Sequence, residues 1–322
     1  MELIDLYRNS DIHKKITLDK NADMLNHAYI LSSADTILLD SYAIFVAQDI
    51  CCENTNAPCM QCLHCQKIMH GNMVDLCIYP KSEKSLVVED ISNIVVDSYI
   101  RPMDNKYKIY ILKNFDLCTI QGQNKLLKTL EEPPQNVIFL LTCTNADAIL
   151  TTIRSRAKIL NEPTLNKKVV CEYLQSHGVT NADIFASMSD GKLSTAMALS
   201  HNRNASNIVD DVISVLLELN SSKDVLKYTS KILTYKKDIS FFLETMVAVL
   251  RDIAVVKVAD INFGGYRSKI VELSEIYSAP MIEKIVLSIT GIFNKLDFNC
   301  NVTGLIDQLL LDILEVRFLC QK

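Results

Sequence analysis

Glycine is absent from the first 70 residues of this 322-residue chain; the first is Gly71. The absence excludes a glycine-rich phosphate cradle there, because such a cradle needs glycines to let backbone N–H groups close around phosphate oxygens. No apolar run approaches the ~18 residues that span a bilayer. The N-terminal MELIDLYRNSDIHKK also lacks the apolar core of a signal peptide. Both absences point to a cytoplasmic protein with no membrane partner. Positive charge is not in excess either: 33 Lys and Arg face 38 Asp and Glu, a formal net charge of -5. No global attraction to nucleic acid follows, so any DNA contact must be local or supplied by partners. Apolar residues make up 49% and charged residues 22%, which excludes wholesale disorder. The length suggests two or three domains.

What is present is organised around residues 108–160. Ile109 to Leu112 is a short apolar run of the kind a buried parallel strand uses. Leu126, Leu127 and Leu130, set among Lys125, Lys128 and Glu131, predict an amphipathic helix that stops at Pro133-Pro134. Val137 to Leu141 predicts a second buried strand. Asp147 to Ile153 suits one or two helical turns before Arg154-Ser155-Arg156 and a last strand. Strand, helix and strand in this order favour a right-handed crossover in a parallel sheet, with sites beyond the carboxyl ends of the strands. NKLLKTLEEPP followed by IRSR closely resembles the clamp-loader branch of the AAA+ ATPases.

Upstream, Ala28 to Leu31 is the first strand candidate, and an apolar helix through Tyr42, Phe45 and Val46 follows. Between them a nucleotide-binding unit carries G-x-x-x-x-G-K-[ST]. Here the two glycine positions are Ser33 and Leu38, the lysine is Leu39 and the hydroxyl residue is Asp40. Leu39 cannot pair with phosphate and Asp40 would repel it. At the end of the Ile109 strand the family places an acidic pair, for magnesium and for the attacking water; this chain has Lys113-Asn114. The resemblance is therefore to a member without an intact ATP site.

Cys52-x6-Cys59-x2-Cys62-x2-Cys65 can surround one tetrahedral Zn2+ with four soft sulfur ligands, a closed and structural shell. Cys51 is adjacent and could substitute; His64 and His70 are further alternatives. Cys51 falls on the preceding apolar helix, and Cys52 begins Cys-Glu-Asn as in the clamp-loader zinc module, which favours Cys52. The scattered Cys77, Cys118, Cys143, Cys171, Cys300 and Cys320 read as core residues. A zinc-ribbon nucleic-acid binder is the competing reading, but Cys52–Met69 offers only Lys67 and no aromatic for base stacking.

Residues 1–26 read as a short helix and a turn. Asp75 to Pro80 predicts a strand and Val88 to Tyr99 a helix. Past the Glu162-Pro163-Thr164 linker come short helices at Lys167–Gln175, Ala182–Met188 and Leu193–Leu199. The segment Ser187–Leu199 resembles the small AAA+ lid, although Lys192 opens its last helix and no arginine occurs until Arg203. From Ala205 onward the pattern is helical, with long runs at Ile208–Leu219, Ile239–Val258, Pro280–Leu296 and Thr303–Cys320, broken by Gly264-Gly265.

The expected fold is thus α/β plus all-α: a AAA+ parallel sheet with a zinc insert at 52–65 within residues 1–162, a helical lid over 163–203 and a helical collar bundle over 204–322. The resemblance implies partners: gamma or tau and delta subunits met through collar and AAA+ faces, and the sliding clamp and primer-template DNA through the complex. It also implies that Arg156, in Ser155-Arg156-Ala157, is an arginine finger for a neighbour's ATP, with no ATP bound in the chain's own site. Two alternatives stand beside this: a gamma/tau-type subunit that hydrolyses ATP, and an Arg156 that merely pairs with a surface carboxylate.

Overall fold

The computed structural model describes residues 1–81, 85–202, 204–256, 267–296 and 301–319. Arg203, Gly264-Gly265, Cys300 and Cys320, each singled out above, lie outside the described residues, as does Val258. The chain divides into two compact units, Met1–Thr164 and Leu165–Lys322.

The first unit is built on a five-stranded parallel sheet of β1 (Ala28–Ser32), β2 (Leu76–Tyr79), β3 (Lys108–Leu112), β4 (Val137–Cys143) and β5 (Lys158–Asn161), in the order β2-β3-β4-β1-β5. Its helices are α1 (Leu3–Asn9), α2 (Asp11–Asn21), α3 (Thr36–Cys51), α4 (Leu63–Met69), α5 (Val88–Ser98), α6 (Ile120–Glu131) and α7 (Thr151–Arg154). β3 and β4 are buried along their whole length and β1 along all but its last residue. Such strands have no wet face, which is why they read as apolar runs without alternation. On one side Ala28, Ile30, Tyr110, Leu112, Phe139 and Leu141 pack against Ile91 and Ile94 of α5 and Leu126 and Leu130 of α6. Tyr110 and Phe139 stack there at 5.4 Å.

Two local expectations change. Residues 1–26 hold two helices, not one, because Ser10 ends α1 and its hydroxyl accepts from His13 N at 3.1 Å to start α2. The turns expected over 147–153 split into a 3-10 turn at Ala146–Ala148 and α7. Asn145 Oδ1 accepts from Asp147 N, and Gln123 Oε1 accepts from Leu150 N at 2.9 Å, so the backbone between is drawn into an extended step.

The second unit is helical: α8 (Lys167–Ser176), α9 (Ala182–Met188), α10 (Leu193–Ser200), α11 (Ala205–Glu218), α12 (Ser222–Ile232), α13 (Ile239–Val256), α14 (Arg267–Ile276), α15 (Ala279–Leu296) and α16 (Val302–Leu319). The segments expected as lid and collar fall in this one unit. They share a polar joint: Asp252 of α13, 4% exposed, accepts from Lys167 Nζ at 2.9 Å and Ser187 Oγ at 2.6 Å. No single helix among the described residues is long and apolar enough to cross a membrane.

Gly122 gives a test of packing in the first unit. A Cβ built there would stand 2.6 Å from Cys118 Sγ. Replacing a helical glycine by alanine normally gains about 0.5–1 kcal/mol, whereas overpacking a core costs ~1–3 kcal/mol. Gly122→Ala should therefore lower the denaturation midpoint, and Cys118→Ala added to it should recover the loss, as read by urea titration.

Candidate functional site

β1 and β4 lie side by side with Ser32 opposite Cys143, and Ser33 N donates to Cys143 O at 3.3 Å. The turn into α3 thus opens at the carboxyl edge of the sheet, where parallel sheets place their sites. The first amides of any helix lack intrahelical partners, and a phosphate cradle offers them to its ligand. Here they are taken. Asp35, fully buried, accepts from Ile37 N at 3.0 Å and Leu38 N at 3.4 Å, and its own N donates to Ser33 Oγ at 3.2 Å. A carboxylate at a helix N-terminus also meets the positive end of the dipole. Leu38 and Leu39 are core residues, 0% and 3% exposed. Asp40, one turn on, pairs with Lys113 Nζ at 3.1 Å. The two positions where a nucleotide site keeps its hydroxyl residue and first acid therefore neutralise each other. Asn114, left-handed at φ 50°, donates its N–H to Thr142 Oγ1.

The four expected thiols come together. The sulfurs of Cys52, Cys59, Cys62 and Cys65 all lie within 4.8 Å of one another, and Cys62 and Cys52 are 3.9 Å apart. Tetrahedral zinc with bonds of about 2.3 Å sets its sulfurs about 3.8 Å apart, so the donor set fits such an ion. Cys51, the last residue of α3, is not in the group. Backbone N–H groups prepare the sulfurs: Cys62 N donates to Cys59 Sγ at 3.2 Å and Cys65 N to Cys62 Sγ at 3.5 Å. A backbone N–H from Gln61 is the first cause that lowers Cys59 to about 6, while burial raises Cys52 and Cys65 and pushes Cys51 up to about 12. The surroundings brace the loop. Lys20 Nζ donates to the carbonyls of Asp49 and Cys52, Arg8 Nη2 to Pro58 O, and Gln48 Nε2 to Cys65 O.

Arg156 sits in the connection from α7 to β5, its side chain 35% exposed. Nη2 pairs with Glu131 Oε1 at 2.9 Å; Nη1 donates to Thr152 O at 2.7 Å and to Ser155 Oγ at 3.4 Å. Arg154 pairs separately with Asp147 at 2.7 Å. Arg156 is thus a partly exposed cation with a carboxylate partner.

Three features of these sites went unread in the sequence. An Asp35 directly before an apolar helical run is a capping signal. The pairs Asp40–Lys113 and Glu131–Arg156 join segments 73 and 25 residues apart, and nothing in spacing marks them.

A family model described as DNA polymerase III, delta subunit, matches residues 9–166. DNA polymerase III subunit gamma of Buchnera aphidicola subsp. Acyrthosiphon pisum (strain APS) is 30% identical over 153 residues, 47% of this chain and 42% of the relative. The match thus spans less than half of that relative. DNA polymerase III subunit delta' of Bacillus subtilis (strain 168) is 23% identical over 304 residues, 91% of this chain and 92% of the relative. Among solved structures, a gamma subunit-related protein of DNA polymerase III from Thermotoga maritima is 14% identical. It covers 94% of this chain and 99% of its own, with a TM-score of 0.44.

The cysteine cluster makes a direct prediction. Cys62→Ser should lose a bound thiophilic metal ion and lower the melting temperature, since such sites fold with their metal. Cys51→Ser should do neither. Metal analysis of the purified variants decides, and metal lost from Cys51→Ser but kept by Cys52→Ser would shift the ligand register by one.

Proposed function

Because the chain belongs to the DNA polymerase III clamp-loader family, we propose that it is a delta-prime-type subunit: a AAA+ fold that turns over no ATP and acts through its neighbours. Its work is to help load the sliding clamp onto primed DNA in replication. The observation that carries this reading is the filled N-terminus of α3. A triphosphate at that position must displace the buried Asp35 carboxylate from Ile37 N and Leu38 N, and the place of the phosphate lysine belongs to buried Leu39. The cation that remains, Lys113, is already held by Asp40. Held together, the two offer neither the lysine to the phosphates nor the carboxylate to magnesium.

A subunit without turnover still serves a ring whose ATP sites lie between neighbours. Arg156, beside Ser155, then supplies a planar cation to the γ-phosphate held by an adjacent gamma or tau subunit, where charge develops as the phosphoryl group leaves. Residues 163–203 act as the lid, and 204–322 act as the collar that joins gamma or tau and delta. The clamp and the primer-template are met through the assembled complex. Zn2+ at Cys52, Cys59, Cys62 and Cys65 would close the loop between α3 and α4 and leave no open coordination position, so its part is structural.

A second reading, a gamma- or tau-type subunit that hydrolyses ATP itself, takes its support from the 30% identity to the Buchnera gamma subunit. Calorimetric titration separates the two. The isolated chain should show no saturable heat with Mg-ATP, and a low-micromolar dissociation constant would overturn the delta-prime reading. Arg156→Ala should leave assembly and melting temperature unchanged while reducing the DNA-stimulated ATPase of the reconstituted loader. A finger is worth roughly 10³–10⁵ where it completes a GTPase site; with several sites in one ring, the loss in total turnover should be smaller. Arg156→Lys should rescue poorly, because a point charge lacks the fork. Normal clamp loading by the alanine variant would make Arg156 a surface cation only.

A further inference from the structure

The end of α6 is anomalous by charge. Its last residue is Glu131 and its C-cap is Glu132, so two carboxylates sit at the negative end of the helix dipole, where cations are favoured. Lys128 lies in the same last turn, but the cation paired with Glu131 comes from another segment: Arg156 reaches across and sets Nη2 2.9 Å from Glu131 Oε1. The same guanidinium is held from a second direction, since Nη1 donates to Thr152 O within α7 and to Ser155 Oγ. Two directions of hydrogen bonding on a planar group define its plane.

We infer that Glu131 is a positioning residue for Arg156, holding the guanidinium oriented before a neighbouring subunit arrives. The inference rests on the reading of Arg156 as a finger acting in trans. The physical reason is order. An arginine carries large rotamer freedom, and one that must be ordered during engagement delivers less to the transition state than one already placed. A guanidinium has five N–H donors, so contacts from its two terminal nitrogens to Glu131, Thr152 and Ser155 leave donors for a phosphate. Glu131 and Arg156 side chains are 49% and 35% exposed. Exposed pairs are weak, so Glu131 can orient the arginine without outcompeting a triphosphate for it.

The test uses the reconstituted loader with Glu131→Ala, Glu131→Gln, Arg156→Ala and the Glu131→Ala/Arg156→Ala double variant. Glu131→Ala should lower kcat of the DNA-stimulated ATPase roughly two- to fivefold, the range an exposed ion pair supports, with KM for ATP unchanged. Glu131→Gln keeps an acceptor oxygen in place and should recover most of the loss. The double variant should match Arg156→Ala alone. In the isolated chain, phenylglyoxal should modify Arg156 several-fold faster in Glu131→Ala at an unchanged melting temperature, a readout that a purely structural role would not move. If Glu131→Ala turns over at the normal rate while Arg156→Ala is impaired, Glu131 does not position the finger and the finger stands. If Glu131→Ala turns over faster, the pair restrains the arginine and the inference is overturned. If Arg156→Ala itself is normal, the finger reading falls, and the role given to Glu131 falls with it.

Discussion

A helix N-terminus presents a few unpartnered N–H groups, and only one anion can take them at a time. In this chain the anion is Asp35, part of the same turn and buried with it. Much about the β1–α3 region follows from that one competition. A cradle for a mobile phosphate must keep its amides open to solvent until the ligand comes, which leaves the empty helix end short of partners. A built-in carboxylate removes that cost: replacing such a cap with alanine typically destabilises a protein by about 1 kcal/mol. The turn gains a permanent cap, Leu38 and Leu39 join the core, and the flexibility that glycines would supply is not needed.

The same logic extends to the charges around it. Lys113 rests on Asp40, Arg154 on Asp147 and Arg156 on Glu131, each at 2.7 to 3.1 Å. The three pairs differ in where they lie. Asp40–Lys113 joins α3 to the residue after β3. Glu131–Arg156 lies at the ends of α6 and α7, partly exposed, so its cation can still serve another molecule. One chain thus pairs a cation at the carboxyl edge of the sheet with Asp40 and a second cation, beyond α7, with Glu131.

The cysteine cluster shows how local spacing and tertiary framing divide the work. Cys59, Cys62 and Cys65 are brought together by one short turn and the start of α4, and their amides reach back to the sulfurs. The fourth member, Cys52, arrives from the end of α3, whose last carbonyls are tied by Lys20 of α2. α2 was not separated from α1 in the sequence, because a single serine acting as both stop and start leaves the pattern of apolar residues unbroken.

Sequence alone determined whatever depends on neighbours within about a dozen residues. The buried strands at 28–32, 108–112 and 137–143, the amphipathic α6 stopped before Pro133, the short helices of 167–200 and the four-thiol spacing are all properties of local pattern, and each was legible. That residues 33–40 hold no glycine and no lysine was legible too, since it needs only the residue types. Tertiary structure decided the rest. The order β2-β3-β4-β1-β5 puts β1 between β4 and β5, and only this brings Ser33 against Cys143 and opens the turn into α3 at the carboxyl edge of the sheet. What occupies the helix end, which carboxylate neutralises Lys113 and which one orients Arg156 follow from side chains of distant segments meeting across strand ends. A linear pattern carries no trace of such meetings, because periodicity records which face of an element is buried and not what the exposed charges on that element face.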